Sequence, residues 1–312
     1  MVTGGSTYHS IFPECSEKEI DVHDIQRGKK ETIRSAMEPF QDIQLSLSCS
    51  WISLYQPDVS TLKDSIHIIA RSGDDERVLA DGRFSAWGKD SSGADCLAYI
   101  VGDYSELTGF ESKGTWLLNM DSGEQRQIHS RGEDLAWAEY DQSFYIADFS
   151  DGPLTMPKVQ RYNSTRKRLE DTPYHGVDFS PNGTYYLSRS YEGSGIKVYL
   201  RASNKDVTGQ YISMLNRYFN GNPNFWLSSS MIVFSSNRVN KIKNRIIDFD
   251  QSEAWEVQEE VIGFADKEET QLLTLVDGKV VTRKFEDVAK LIYPLPENSD
   301  AVTTTAKEKK TE

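Results

Sequence analysis

The chain is short of several things that would announce a chemistry. It has 3 cysteines in 312 residues. Cys15, Cys49 and Cys96 are widely spaced and form no CxxC pair. That excludes a disulfide scaffold and a structural zinc ribbon, and suits free thiols in a reducing compartment. Positive charge is scarce: 35 Lys and Arg stand against 48 Asp and Glu, a formal net charge of −13. Such a balance excludes a surface built for general nucleic-acid binding and is compatible with a basic partner. No run reaches the roughly 18 apolar residues of a membrane span. The first residues have neither a basic nor an apolar signal-peptide region. The expected location is therefore cytoplasmic. Secretion or a periplasmic location is the alternative, in which the sequons at Asn163 and Asn182 would matter.

Catalytic signatures are also missing. The five histidines, His9, His23, His67, His129 and His175, show no HxH, HExxH or HxxxH spacing, so no metal site is assigned. No Gly-x-Ser-x-Gly elbow occurs. Paired carboxylates such as Asp74-Asp75 and Glu259-Glu260 fall in turn-like or strand-end positions. No catalytic residue and no cofactor is assigned, and the reading leans away from an enzyme.

What the chain does have is a period. Leu47, Trp87, Trp137, Phe179, Trp226 and Phe264 each close a short apolar segment that a polar turn links to a second one. The gaps between them average about 43 residues, the length of a four-stranded blade. His175 to Ile212 spells the unit most fully: an alternating strand through Val177 and Phe179, the turn Ser180-Pro-Asn-Gly183, then strands at Tyr185–Ser190 and Ile196–Leu200. One large aromatic per unit, on its first strand, predicts packing between neighbouring sheets rather than a stack for a ligand. Glu19 to Ile33 reads as the outer hairpin of a further blade with its inner strand absent. The predicted fold is all-β: a closed β-propeller of four-stranded antiparallel blades. Seven blades are expected, or six if that hairpin completes the last one. The propeller should fill residues 1–298 as one domain, with 299–312 a disordered tail. Closure would call on the segment Lys290 to Pro294 to pair beside the N-terminal strands.

Three stretches carry a family resemblance. Phe179 to Gly183 (FSPNG) resembles the first turn of tryptophan–aspartate (WD) repeats and of TolB-like propeller repeats. Asp21 to Lys29 (DVHDIQRGK) resembles a WD third strand, with His23-Asp24 where Trp-Asp would stand, and His175 sits where a Gly-His histidine would. Leu117 to Ile128 (LLNMDSGEQRQI) resembles a TolB-like segment. The chain thus looks like a degenerate WD-repeat or TolB-like propeller. The WD resemblance implies a non-enzymatic platform, a scaffold or sensor module, that binds a protein or peptide partner through its face. The TolB-like resemblance also admits propellers attached to hydrolases.

Arg83, Asp134, His175 and Asn224 lie just before the first strands of their blades and are the expected partner-binding set. Two basic clusters offer an anion contact: Arg161, Arg166, Lys167 and Arg168, then Arg238, Lys241, Lys243 and Arg245. The alternatives are a propeller-type hydrolase or lactonase with a central-channel site, and an accessory domain of a longer polypeptide.

Overall fold

The computed structural model describes residues 11–15, 19–24, 29–35, 41–58, 63–105, 109–149, 156–190, 195–208, 223–238, 241–277 and 279–293. Every sheet is antiparallel and small, and the sheets succeed one another around a ring, the arrangement of a β-propeller. A three-stranded sheet comes first: β1 (Ile11–Cys15), β2 (Glu19–Asp24) and β3 (Lys29–Ser35). Blade 1 runs from β4 (Gln41–Leu45) to β7 (Glu76–Ala80), and blade 2 from β8 (Gly82–Lys89) to β11 (Gln125–His129). Blade 3 runs from β12 (Asp134–Ala138) to β15 (Arg168–Asp171), and blade 4 from β16 (Asp178–Phe179) to β19 (Lys205–Asp206). Blade 5 begins with β20 (Pro223–Trp226) and reaches β23 (Glu253–Val257); blade 6 comprises β24 (Glu260–Phe264), β25 (Gln271–Val276) and β26 (Lys279–Lys284). Six blades thus follow the six anchors, the alternative to the seven expected. The predicted N-terminal hairpin is β2–β3. It gains an unforeseen strand, β1, and stands as a sheet of its own.

The anchors behave as packing residues, with one regularity that explains the ring. Each reaches back onto the blade before it. Trp87 packs among Ile66 and Ile68 of blade 1 and donates its indole N–H to Ser53 Oγ at 2.9 Å. Trp137 meets Phe144 edge-on at 4.7 Å and lies over Gly88 of blade 2. Phe179 sits 4.4 Å from the Tyr145 ring of blade 3, Trp226 packs against Tyr185 of blade 4, and Phe264 against Leu227 and Val233 of blade 5. Six apolar clusters result, each shared by two consecutive sheets. Burial of one such aromatic is worth several kcal/mol, with roughly 3–5 kcal/mol lost on truncation to Ala.

Leu47 is the exception. The strand ends two residues earlier, at Leu45, because Ser46 starts the turn: its N–H bonds Trp51 O at 2.8 Å, and its Oγ accepts from Trp51 N at 3.1 Å. Leu47 is left half-buried in that turn, and Ile43 is the core residue, packed with Val22. The same device closes the first turn of other blades. The residue just beyond the inner strand offers a side-chain oxygen to an N–H at or near the start of the second: Asp90 to Ala94 at 3.1 Å, Ser180 to Tyr185 at 3.0 Å, Ser228 to Met231 at 3.3 Å and Asp266 to Gln271 at 2.9 Å. The predicted Ser180-Pro-Asn-Gly183 turn is formed this way, with Gly183 at φ 68°.

The C-terminal segment goes elsewhere than expected. β27 (Ala289–Tyr293) pairs antiparallel with β23 as a fifth strand on the outer edge of blade 5, and not with the N-terminal strands. The cause is local. A one-turn helix, α1 (Phe285–Val288), follows β26, and Phe285 packs edge-on against Trp255 of β23 at 5.2 Å. That contact turns the chain back across blade 5. Pro294 lies outside the described residues.

The Gly88 position gives a direct test of backward packing. A Cβ there would stand 2.3 Å from the Trp137 ring and 2.4 Å from Phe144. Gly88→Ala should therefore lower the unfolding free energy by about 1–3 kcal/mol in urea titration, whereas Gly93→Ala, whose Cβ would meet nothing within 4 Å, should cost only the strain of its φ of 88°.

Candidate functional site

The inner strands of blades 1 to 5 surround a cavity of about 260 Å³. Gln44 and Leu45 contribute from blade 1, Ser85 to Trp87 from blade 2, Asp134 to Trp137 from blade 3, Asp178 and Phe179 from blade 4, and Phe225 and Trp226 from blade 5. Gln44 Nε2 donates to Ser85 O at 2.9 Å and ties the first two inner strands. Asp178 Oδ1 accepts from Trp226 Nε1 at 2.8 Å and ties blade 4 to blade 5. Asp134 Oδ1 accepts from Leu135 N at 2.9 Å. Glu139, beyond the end of β12, also lines the cavity. Burial pushes its carboxyl above the usual glutamate range. Among the described residues, no three His, Cys, Asp or Glu groups are placed to hold a metal ion.

A second feature lies on blade 2. β9 (Asp95–Ser105) and β10 (Gly109–Asn119) are 11 residues each, longer than any other strand among the described residues. Near their far end, the Arg83 guanidinium stands 5.1 Å over the Phe84 ring and 5.2 Å over Phe110. The two rings meet edge-on at 6.3 Å. Arg83 also faces Asp64 at 3.6 Å, and Asp64 is a hydrogen-bond partner of Tyr55, whose phenol pKa is raised, chiefly by burial. Phe84 is 43% exposed and Tyr104 44%. Phe84 occupies the left-handed region, φ 45°, where the β8–β9 register shifts between Arg83 and Ser85. An aromatic residue rarely sits there, because its Cβ crowds the backbone. The bulge is what turns this ring outward.

Of the four expected partner contacts, Asp134 and His175 line the same cavity. Arg83 stands apart from it, in the aromatic stack. Asn224 lies in β20 beside the cavity-lining Phe225, with its side chain outside the described residues. In the first basic cluster, Arg161 pairs with Glu170 and with Asp141 at 3.1 Å. Arg166 and Arg168 also face Glu170, at 3.5 Å and 3.1 Å. Hydrogen bonding to Arg161 holds the Glu170 carboxyl low. Lys167 is exposed at the tip of its turn, φ 52°. In the second cluster, Arg245 lies 3.9 Å from Glu256, and the side chains of Arg238, Lys241 and Lys243 lie outside the described residues.

Sequence reading missed Phe84, Tyr104, Phe110, Glu139 and Asp178. Asp178 did carry a signal: it precedes its anchor where the equivalent residues before Trp87 and Trp137 are Ala86 and Ala136. Phe84 carried none, since a bulge cannot be read from alternation.

Glu139 can be tested through its pH dependence. Its folded pKa is raised above the ordinary 4.5, so the ionised form is disfavoured in the folded state. The cost is absent below about pH 4.5 and grows as pH rises through the folded value. Glu139→Gln should raise Tm by about 1–2 °C at pH 7 and leave it unchanged at pH 4, as read by differential scanning calorimetry.

No family model matches the chain, and no curated protein matches it. Among solved structures it is similar to TolB from Acinetobacter baumannii, at 12% identity and a TM-score of 0.49, over 74% of this chain and 57% of that one. The chain therefore spans little more than half of that TolB. It is also similar to the protein lmo1340 from Listeria monocytogenes EGD-e, at 12% identity and a TM-score of 0.49, over 90% and 92% of the two chains. A third likeness is to the β-propeller domain of the Trilobed protease from Pyrococcus furiosus, at 10% identity and a TM-score of 0.49, over 92% and 94%.

Proposed function

We propose that this propeller is a non-enzymatic interaction module that binds a protein or peptide partner through the face where the inner strands begin. The observation that carries this reading is the Phe84–Arg83–Phe110 stack, formed by the inner strand of blade 2 with its long hairpin. Arginine and aromatic residues dominate the energetics of protein interfaces, because they bury much area with few rotors and keep polar edges. Phe84 is held exposed by a backbone conformation that costs about 1–2 kcal/mol. An exposed ring maintained against strain is better explained by contact than by folding. Asp134, His175 and Asn224 extend the same set of strand entrances around the ring. A cytoplasmic setting goes with this reading, supported by the free, buried thiol of Cys96; burial raises it to about 12, so it is not primed to react.

Phe84→Gly separates contact from stability. Glycine adopts positive φ freely and removes the ring, so unfolding free energy should change by less than about 1 kcal/mol. Capture of the partner from a lysate, quantified by mass spectrometry against wild type, should be lost. Arg83→Ala should weaken it at least about tenfold. Capture that is the same for both folded variants would move the interface off this face.

A further inference from the structure

The anchor tryptophans differ in what becomes of their indole N–H groups. Trp87 donates to Ser53 Oγ at 2.9 Å, and Trp226 to Asp178 Oδ1 at 2.8 Å. Trp137 is different. Among the described residues its buried Nε1–H finds no acceptor. The cause is local. Trp137 lies over Gly88, which has no side chain to offer one. Cys96, opposite Gly88 in the ladder, brings only a thiol, a weak acceptor that already lies 3.8 Å from the Asn119 amide. An N–H shut away from water is unfavourable unless something else supplies its acceptor. Trp137 belongs to the wall of the axial cavity, and so does the half-buried His175, whose imidazole makes no hydrogen bond among the described residues.

The rest of the wall defines the acceptor that suits this N–H. An indole N–H only donates, so a ligand must bring a lone pair to it. Asp134, Glu139 and Asp178 line the same cavity, and beside them a second anion would be repelled. A neutral carbonyl oxygen meets both conditions. The rings of Trp137, Phe225 and Trp226 supply faces and edges against which a planar aromatic body packs well. The volume agrees: a cavity of about 150 Å³ holds benzene and a water takes about 30 Å³, so about 260 Å³ accommodates one ring with a short substituent.

We infer that the cavity binds a neutral aromatic carbonyl compound, an aryl amide or aryl ketone, whose oxygen accepts from Trp137 Nε1. Its ring packs against Phe225 and Trp226. The His175 imidazole is the second hydrogen-bonding group of the site, suited to the N–H of an amide. This adds a small-molecule ligand to the protein-binding reading and depends on neither Arg83 nor Phe84.

The indole signals in proton–nitrogen correlation spectra test the inference directly. The chain has 6 tryptophans, and the signal lost in Trp137→Phe identifies the one that matters. Titration with benzamide or acetophenone should move that signal downfield, the mark of a new hydrogen bond to the N–H. Benzoate and benzamidinium share the shape of benzamide, but the first adds a negative charge and the second has no lone pair to offer. Each should bind at least about tenfold more weakly than benzamide. Trp137→Phe keeps a ring and removes the donor, and should weaken benzamide about tenfold. A cooperative thermal melt would show that this variant is folded, and the wild-type signal reads the contact without it. Phe84→Gly should leave these titrations unchanged, so the face and the cavity stand or fall separately. A Trp137 signal that stays in place with both carbonyl compounds would overturn the inference. So would benzoate or benzamidinium binding as tightly as benzamide, or undiminished benzamide binding by folded Trp137→Phe.

Discussion

The ring depends on a debt that each blade owes to the next. The large aromatic of an inner strand packs on its own sheet and also fills the interface with the sheet before it. Trp87 serves blade 1, Trp137 serves blade 2 where it lies over Gly88, and Trp226 serves blade 4 through both packing and its indole bond to Asp178. A small antiparallel sheet is marginal alone, because one face remains wet. Supplying the missing face from the following blade makes stability a property of neighbouring pairs, as in other repeat arrays. It also explains the spacing. The anchor must recur once per blade at the same strand position, so the period persists even where no other letter does.

The interface between blades 3 and 4 takes this furthest. Tyr140, Tyr145, Tyr174, Phe179, Tyr186 and Tyr199 pack ring on ring, with Tyr186 and Tyr199 stacked at 4.8 Å. Their polar ends are not left idle. The Tyr140 and Tyr145 hydroxyls lie 2.6 Å apart, Tyr145 donates to Asp141 at 2.9 Å, and Arg161 reaches the same carboxylate. Arg201 lies 4.5 Å over the Tyr140 ring and bonds Gly183 O at 2.5 Å. A cluster of positive residues on the page of the sequence is thus, in space, the outer end of a buried phenol network.

What was legible in the sequence is what the period controls. The aromatic anchors, the Ser180-Pro-Asn-Gly183 turn and the all-β character follow from residue type and spacing, which depend on local chemistry. Leu47 was misplaced because a serine side chain can end a strand two residues early. The path of β27 was not legible, since it depends on Phe285 meeting Trp255 from another blade. The candidate site divides in the same way. Asp134 and His175, expected as partner contacts from their equivalent positions at the entrances of inner strands, both line the cavity. Glu139 and Phe84 stayed hidden: one lines the cavity from just past the end of an inner strand, and the other is turned outward by a backbone bulge.

The fifth strand of blade 5 has a consequence in time. β23 is completed at Val257, but the strand that covers its edge begins at Ala289, with all of blade 6 between them. As the chain emerges from synthesis, that edge must stay bare until some thirty further residues have been added. A bare edge can pair with any extended segment nearby, including the same edge of a second nascent chain. β27 therefore acts as a late seal, and crowding of unfinished chains is the hazard it ends.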